Sequence, residues 1–280
     1  MFNETAFTFK HQQKPNLELV GIIHYPEKKR TDKALLIIVG GPQYRVGSHR
    51  QFLLLARSLA EQGITVMRFD YQGMGDADGE ITNFEHISSD IDSAVEILKQ
   101  KTDCQEIILW GLCDAASAAL FYSLQAQDKI AKLILLNPWI RTTEGEAKAI
   151  VKYYYLKRLK SPDFWKKLLK GGVNIISSIQ SLQQNIQKIK KPNKSINTNL
   201  SLPEQMQKAV MAFNKPILFI LSEEDLVADE FRDLIKTSID WKMAMQNKGI
   251  KLTTIEGANH TFSKRDWRQK VEVLTKQFID

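Results

Sequence analysis

The sequence predicts an α/β protein: a mostly parallel, doubly wound sheet with one inserted helical segment. Three observations predict it. Short β-branched apolar runs recur along the chain, segments with helical spacing alternate with them, and the alternation stops only between residues 141 and 212. Strands buried on both faces and separated by helices are the signature of a parallel sheet covered on each side.

The elements justify this in order. Residues 17–25 (LELVGIIHY) alternate in the manner of an early antiparallel strand. Core strands are then expected at 34–41 (ALLIIVGG), 64–71 (ITVMRFDY), 106–113 (EIILWGLC), 131–138 (AKLILLNP), 215–225 (KPILFILSEED) and 251–260 (KLTTIEGANH). Apolar residues three and four apart predict helices over 49–63, 87–101, 114–127, 228–249 and 266–278, the first closed by Gly63. Residues 141–212 read instead as a basic, aromatic, helical cap that ends in the polar run PNKSINTNLS. The expected organisation is therefore a first core part over 1–140, a cap over 141–212 and a second core part over 213–280. No internal repeat is visible.

Composition narrows the functional classes. Hydrophobic residues make up 43% and charged residues 25%, as in ordinary globular chains. The N-terminal stretch MFNETAFTFKHQQ lacks a basic region followed by an apolar run, so it does not read as a signal peptide. No stretch approaches the roughly 18 apolar residues that span a bilayer. Cytoplasm is the expected compartment. Cys104 and Cys113 flank one strand and are not expected to pair; neither they nor the five scattered histidines show metal-ligand spacing. No metal or cofactor is expected. The net charge of +7 is concentrated: residues 141–215 hold fifteen Lys/Arg against four Asp/Glu, and the remainder holds 24 against 28. A slightly acidic core without a recognition motif argues against nucleic-acid binding. The basic cap is open to three readings: a solvated lid, a steering surface for a phosphorylated or carrier-linked substrate, or a peripheral contact with anionic lipid through Tyr153–Tyr155, Phe164 and Trp165.

The sharpest chemical signal is Gly111-Leu112-Cys113-Asp114-Ala115, where a buried strand runs into a turn and then an Ala-rich helix. This is the pattern of a nucleophile elbow, G-x-S-x-G, with Cys113 for serine and Ala115 for the last glycine. The turn is so tight that the positions two residues either side must be small. A thiolate there gains from the helix dipole and free N–H groups; a buried structural cysteine is the plainer alternative. Asp114, next in sequence, suits a helix start and equally opposes a neighbouring thiolate.

Two later strand ends supply partners. Asp225 follows LFILSEE and His260 closes TTIEGAN, so nucleophile, acid and histidine occur in the chain order typical of strand-end triads. Taken singly, Asp225 reads as a helix N-cap and His260 as a loop histidine; Asp229 is a rival acid inside the following helix. The oxyanion hole is expected from two backbone N–H groups, that of Asp114 and one in Val39-Gly40-Gly41-Pro42-Gln43, with Gly41 preferred and Gln43 second because Pro42 has no N–H. Gln43, Arg45 and His49, with Arg50 beside them, are candidates to meet substrate. The DYQGMGD run at 70–76 lacks the full GxGxxG spacing of a dinucleotide site and reads as structural.

With these residues in hand, the chain resembles the α/β-hydrolase superfamily over nearly its whole length. More narrowly, VGGPQYRVGSHRQF, RFDYQGMGDADG and GLCDAASAAL resemble the exosortase A system-associated hydrolase 1 family, which is bacterial and encoded near protein-sorting and exopolysaccharide genes. That resemblance implies a capped Cys–Asp–His hydrolase with Cys113, Asp225 and His260 as its triad. The expected function is hydrolysis of an ester or thioester through an acyl-thioester on Cys113, on a small-molecule or carrier-linked acyl substrate. An acyltransferase with the same triad, or a non-catalytic α/β-hydrolase-like binding protein, stands as the alternative.

Overall fold

The computed structural model describes residues 1–41, 43–140 and 200–280. The segment expected to form most of the cap, 141–199, lies outside the described residues, as does Pro42. Met1–Ile140 and Gln205–Asp280 form one compact unit.

Among the described residues, eight strands make one sheet: β1 (Phe2–Lys10), β2 (Glu18–Pro26), β3 (Lys33–Ile38), β4 (Thr65–Asp70), β5 (Glu106–Leu112), β6 (Ile130–Leu136), β7 (Ile217–Glu224) and β8 (Ile250–Asn259). Their spatial order is β1-β2-β4-β3-β5-β6-β7-β8. β1 pairs with β2, and β2 with β4, antiparallel; every later pairing is parallel. Described helices are α1 (Gln51–Glu61), α2 (Ser88–Lys101), α3 (Asp114–Gln125), α4 (Leu202–Ala212), α5 (Leu226–Thr237), α6 (Ile239–Ala244) and α7 (Arg265–Ile279).

Burial follows the apolar pattern. After exposed Glu106, every residue of β5 is buried, as are all of β4 and the first six of β7. Each such Leu or Ile contributes roughly 1.5–3 kcal/mol by leaving water. Trp110 anchors the far face of β5. Its ring meets Phe52 of α1 edge-on at 5.6 Å, and its indole N–H donates to Thr275 Oγ1 of α7 at 3.4 Å. The first and last helices are thereby fixed on the strand that carries the elbow.

Two elements differ from the expectation. β1 has no counterpart in the sequence reading, because most of its residues are exposed and no apolar face shows; a nine-residue register with β2 holds it instead. The helix expected over 228–249 is broken at Ser238, whose extended backbone (φ −85°, ψ 127°) ends α5 and whose hydroxyl accepts the Trp241 N–H to start α6. A serine that can cap a new helix competes with continuing the old one. Cys104 and Cys113 are both free.

Candidate active site

The site forms where β5, β6, β7 and β8 end, the usual location in an open parallel sheet. Cys113 joins β5 to α3 with φ 64° and ψ −125°. A non-glycine residue in such a conformation costs about 1–3 kcal/mol and persists only where its surroundings enforce it. Here they do: Cys113 N–H donates to Leu136 O, Trp139 N–H donates to Cys113 O, and Ser117 Oγ donates to Trp139 O. Gly111 has to be glycine, since a Cβ would stand 2.5 Å from Ala115 O and 2.7 Å from Ala116 N.

His260 connects the other two triad candidates. Its Nδ1 donates to Asp225 Oδ2 at 2.9 Å, and the Cys113 side chain acts on the ring electrostatically. Burial pulls the imidazolium down, but Asp225 and Cys113 outweigh it and raise His260 to about 10 from 6.5. Asp225 does two jobs at once. The same Oδ2 that accepts from His260 accepts the Ala228 N–H, so it caps α5 as well. Asp229, the rival acid, pairs with Arg232 at 2.6 Å instead.

Asn137 and Ser222, which the sequence reading did not single out, hold this arrangement together. Both are fully buried. Asn137, at φ 41°, donates from Nδ2 to Ser222 Oγ at 2.7 Å and to His260 O at 3.0 Å, while its Oδ1 accepts the Ser222 N–H at 2.8 Å. Ser222 Oγ donates in turn to Asn259 O at 2.9 Å. The ends of β6, β7 and β8 are thus tied by two side chains. The available signal was a polar residue directly after each of two buried apolar runs, LILL-Asn137 and ILFIL-Ser222.

The oxyanion loop departs from the expectation. Gly41 N–H does not stand open: it donates to the Asp114 carboxylate, at 2.7 Å to Oδ1 and 2.9 Å to Oδ2. Asp114 Oδ1 also accepts the Ala115 N–H at 2.9 Å. The approach is close because residue 40 is glycine; a Cβ there would lie 2.4 Å from Asp114 Oδ1. Gln43, the second choice, donates its N–H to Gly41 O at 2.8 Å, and its side-chain oxygen accepts from Ser48 N–H and Oγ. Burial raises the Asp114 carboxyl above the usual range, against the opposing effect of the N–H groups of Gly41 and Ala115.

The neighbouring candidates divide. Arg45, expected to meet an anionic substrate, is engaged by carboxylates of its own protein: its guanidinium pairs with buried Asp70 and, at 2.7 Å, with Asp76. Asp70 closes β4 and Asp76 ends the GMGD turn that follows, which accounts for the run at 70–76. His49 (φ 53°) and Arg50 are exposed at the start of α1.

The chain matches the family described as serine aminopeptidase, S33, over residues 31–264. It belongs to that family, within the α/β-hydrolase superfamily. Solved α/β hydrolases share its fold. The esterase Pf2001 of Pyrococcus furiosus superposes with a TM-score of 0.65 at 16% identity, covering 100% of this chain and 94% of its own. Est1E of Butyrivibrio proteoclasticus, solved with ferulic acid bound, gives 0.63 at 16% identity over 98% and 97%. An α/β serine hydrolase homologue from Coxiella burnetii gives 0.59 at 15% identity over 100% and 99%. No curated protein matches the chain in sequence. The S33 family is named for a serine, and this member carries Cys113 at the elbow. No described helix is long and apolar enough to cross a membrane.

Proposed function

We propose that this S33-family member is an ester or thioester hydrolase with a Cys113–His260–Asp225 triad. The observation that carries the reading is His260, hydrogen-bonded to Asp225 at 2.9 Å, with its charged form favoured by Asp225 and by the Cys113 side chain. In the reaction, His260 takes the Cys113 thiol proton, the sulfur attacks the acyl carbonyl and the C=O π pair moves onto oxygen. As that oxyanion collapses, the leaving group departs with the proton held by His260. Water, deprotonated by His260, then attacks the acyl-thioester and returns Cys113 and the acid.

A thioester intermediate yields to amines and thiols more readily than an oxyester does, so a cysteine in place of serine favours acyl transfer as the second reading. The basic residues of 141–215 suit a phosphorylated or carrier-linked acyl donor, or contact with anionic lipid. The resemblance to the exosortase-associated hydrolases suggests that this donor belongs to an exopolysaccharide or protein-sorting system acting from the cytoplasm.

Activity profiling over p-nitrophenyl esters and acyl-thioesters of varied chain length, with and without an added amine, tests the reading. Turnover that disappears in Cys113→Ala supports it, and amine-dependent product identifies the transferase. Full activity in Cys113→Ala would sink the assignment.

A further inference from the structure

The N–H groups that should receive a developing oxyanion are already occupied, and a side chain of the protein occupies them. A nucleophile elbow offers the oxyanion two backbone N–H groups, that of the residue after the nucleophile and one from the loop after β3. Here these belong to Asp114 and Gly41, since Pro42 has no N–H and the Gln43 N–H donates to Gly41 O. The Gly41 N–H is shared by both oxygens of the Asp114 carboxylate, at 2.7 Å to Oδ1 and 2.9 Å to Oδ2. Oδ1 also accepts the Ala115 N–H at 2.9 Å, and the N–H of Asp114 itself acts on the same group. Each of these contacts asks the carboxyl group to accept, as an ionised carboxylate does. Burial works against that charge, while the three N–H groups and the charge of His260 work for it. The close seat depends on Gly40, because a Cβ there would stand 2.4 Å from Asp114 Oδ1.

Building on the Cys113 hydrolase reading above, we infer that Asp114 is an autoinhibitory residue: its carboxylate stands on the oxyanion donors as an internal anion, and acylation of Cys113 requires it to leave Gly41. The carboxylate and the oxyanion are alternative occupants, since one N–H shared between two carboxylate oxygens has no second hydrogen to offer. Their charges differ in timing. The carboxylate is charged in the resting protein, whereas the acyl oxygen acquires its charge only as the sulfur–carbon bond forms and the C=O pair moves onto it. The resting contact therefore holds until a bound acyl group competes for the same donors. Rotation of this one side chain frees the Gly41 N–H. Proton transfer through His260 and departure of the leaving group then proceed as described above. The consequence is a thiol that acylates slowly until a substrate able to displace the carboxylate is bound.

The test is pre-steady-state acylation by p-nitrophenyl butyrate, read as the p-nitrophenol burst, in wild-type protein and in Asp114→Ala. Both are measured in sodium acetate and in sodium chloride of equal ionic strength. Removing the carboxylate frees an oxyanion donor from a charge-assisted hydrogen bond, so the alanine variant is expected to acylate about 10- to 100-fold faster. Acetate, a free carboxylate able to take the same N–H groups, should slow the alanine variant and leave wild type unchanged. A role for Asp114 as scaffolding of the loop predicts the reverse, a slower variant that does not respond to acetate. An alanine variant that acylates no faster than wild type overturns the inference. So does a rate that acetate leaves unchanged, or lowers equally in both proteins. Should the alanine variant fail to fold, a crystal structure of the wild-type hemithioacetal with butanal decides. The adduct oxygen on the Gly41 N–H, with Asp114 turned away, supports the inference; Asp114 still on Gly41 overturns it. Failure of the underlying reading looks different: no acyl group on Cys113, by mass, in either protein.

Discussion

Replacing Asn137 by alanine should loosen His260 without touching any triad side chain. Asn137 is fully buried and makes three hydrogen bonds, to Ser222 Oγ, Ser222 N and His260 O. Truncation leaves the Ser222 N–H buried without an acceptor, at a cost of about 1–3 kcal/mol, and the lost bond to His260 O adds about 1 kcal/mol. The sum, about 2–4 kcal/mol, corresponds to a fall of roughly 5–15 °C in melting temperature for a chain of this size. Displacing the His260 backbone by about 1 Å should slow ester hydrolysis on the order of 100-fold. Asn137→Asp is the informative companion. It keeps the shape and the acceptor for Ser222 N–H, but it turns the donor toward His260 O into a second acceptor. It should therefore regain part of the stability and none of the rate. Thermal unfolding followed by circular dichroism, with p-nitrophenyl ester hydrolysis, checks both. An alanine variant melting within about 2 °C of wild type and hydrolysing at the wild-type rate would refute the positioning role.

Three further outcomes follow from the same geometry. Gly111→Ala places a Cβ 2.5 Å from Ala115 O, so the elbow has to shift; activity should vanish and stability should fall by about 1–3 kcal/mol, checked by denaturant titration. Cys113→Gly relieves the backbone at φ 64° and should raise stability by about 1 kcal/mol while abolishing turnover, checked by melting temperature against Cys113→Ala. His260 binds its proton more tightly in the folded chain, at about 10 against 6.5. The resulting stability is complete below 6.5 and is lost as pH rises through about 10. The stability difference between wild type and His260→Gln should shrink across that window, as measured by urea unfolding at several pH values.

Much of the fold was legible because burial wrote it into the apolar runs. β5 after Glu106, and β7 as far as Leu221, are apolar and buried, and the small residues around Cys113 are forced by the tightness of the turn. β1 was not legible, since an edge strand with exposed residues shows no apolar face. At the site, the chain order of Cys113, Asp225 and His260 could be read because each ends a strand. Hydrogen-bond partners could not. The expectation of Gly41 as an open donor failed because the competing acceptor, Asp114, lies 73 residues away. Arg45 looked available for the same reason, until Asp70 and Asp76 from the next strand end were seen to hold it. Asn137 and Ser222 act through contacts 85 residues apart, which no local pattern announces.

The most direct test of the account is to trap the intermediate. Wild-type protein mixed with p-nitrophenyl butyrate, acid-quenched within the burst and digested, should carry one butyryl group on the peptide containing Cys113. That adduct should be absent from Cys113→Ala and slow to form in His260→Ala. Turnover of the ester with the label on another residue, or with none at any time, would contradict a thiol nucleophile at the end of β5.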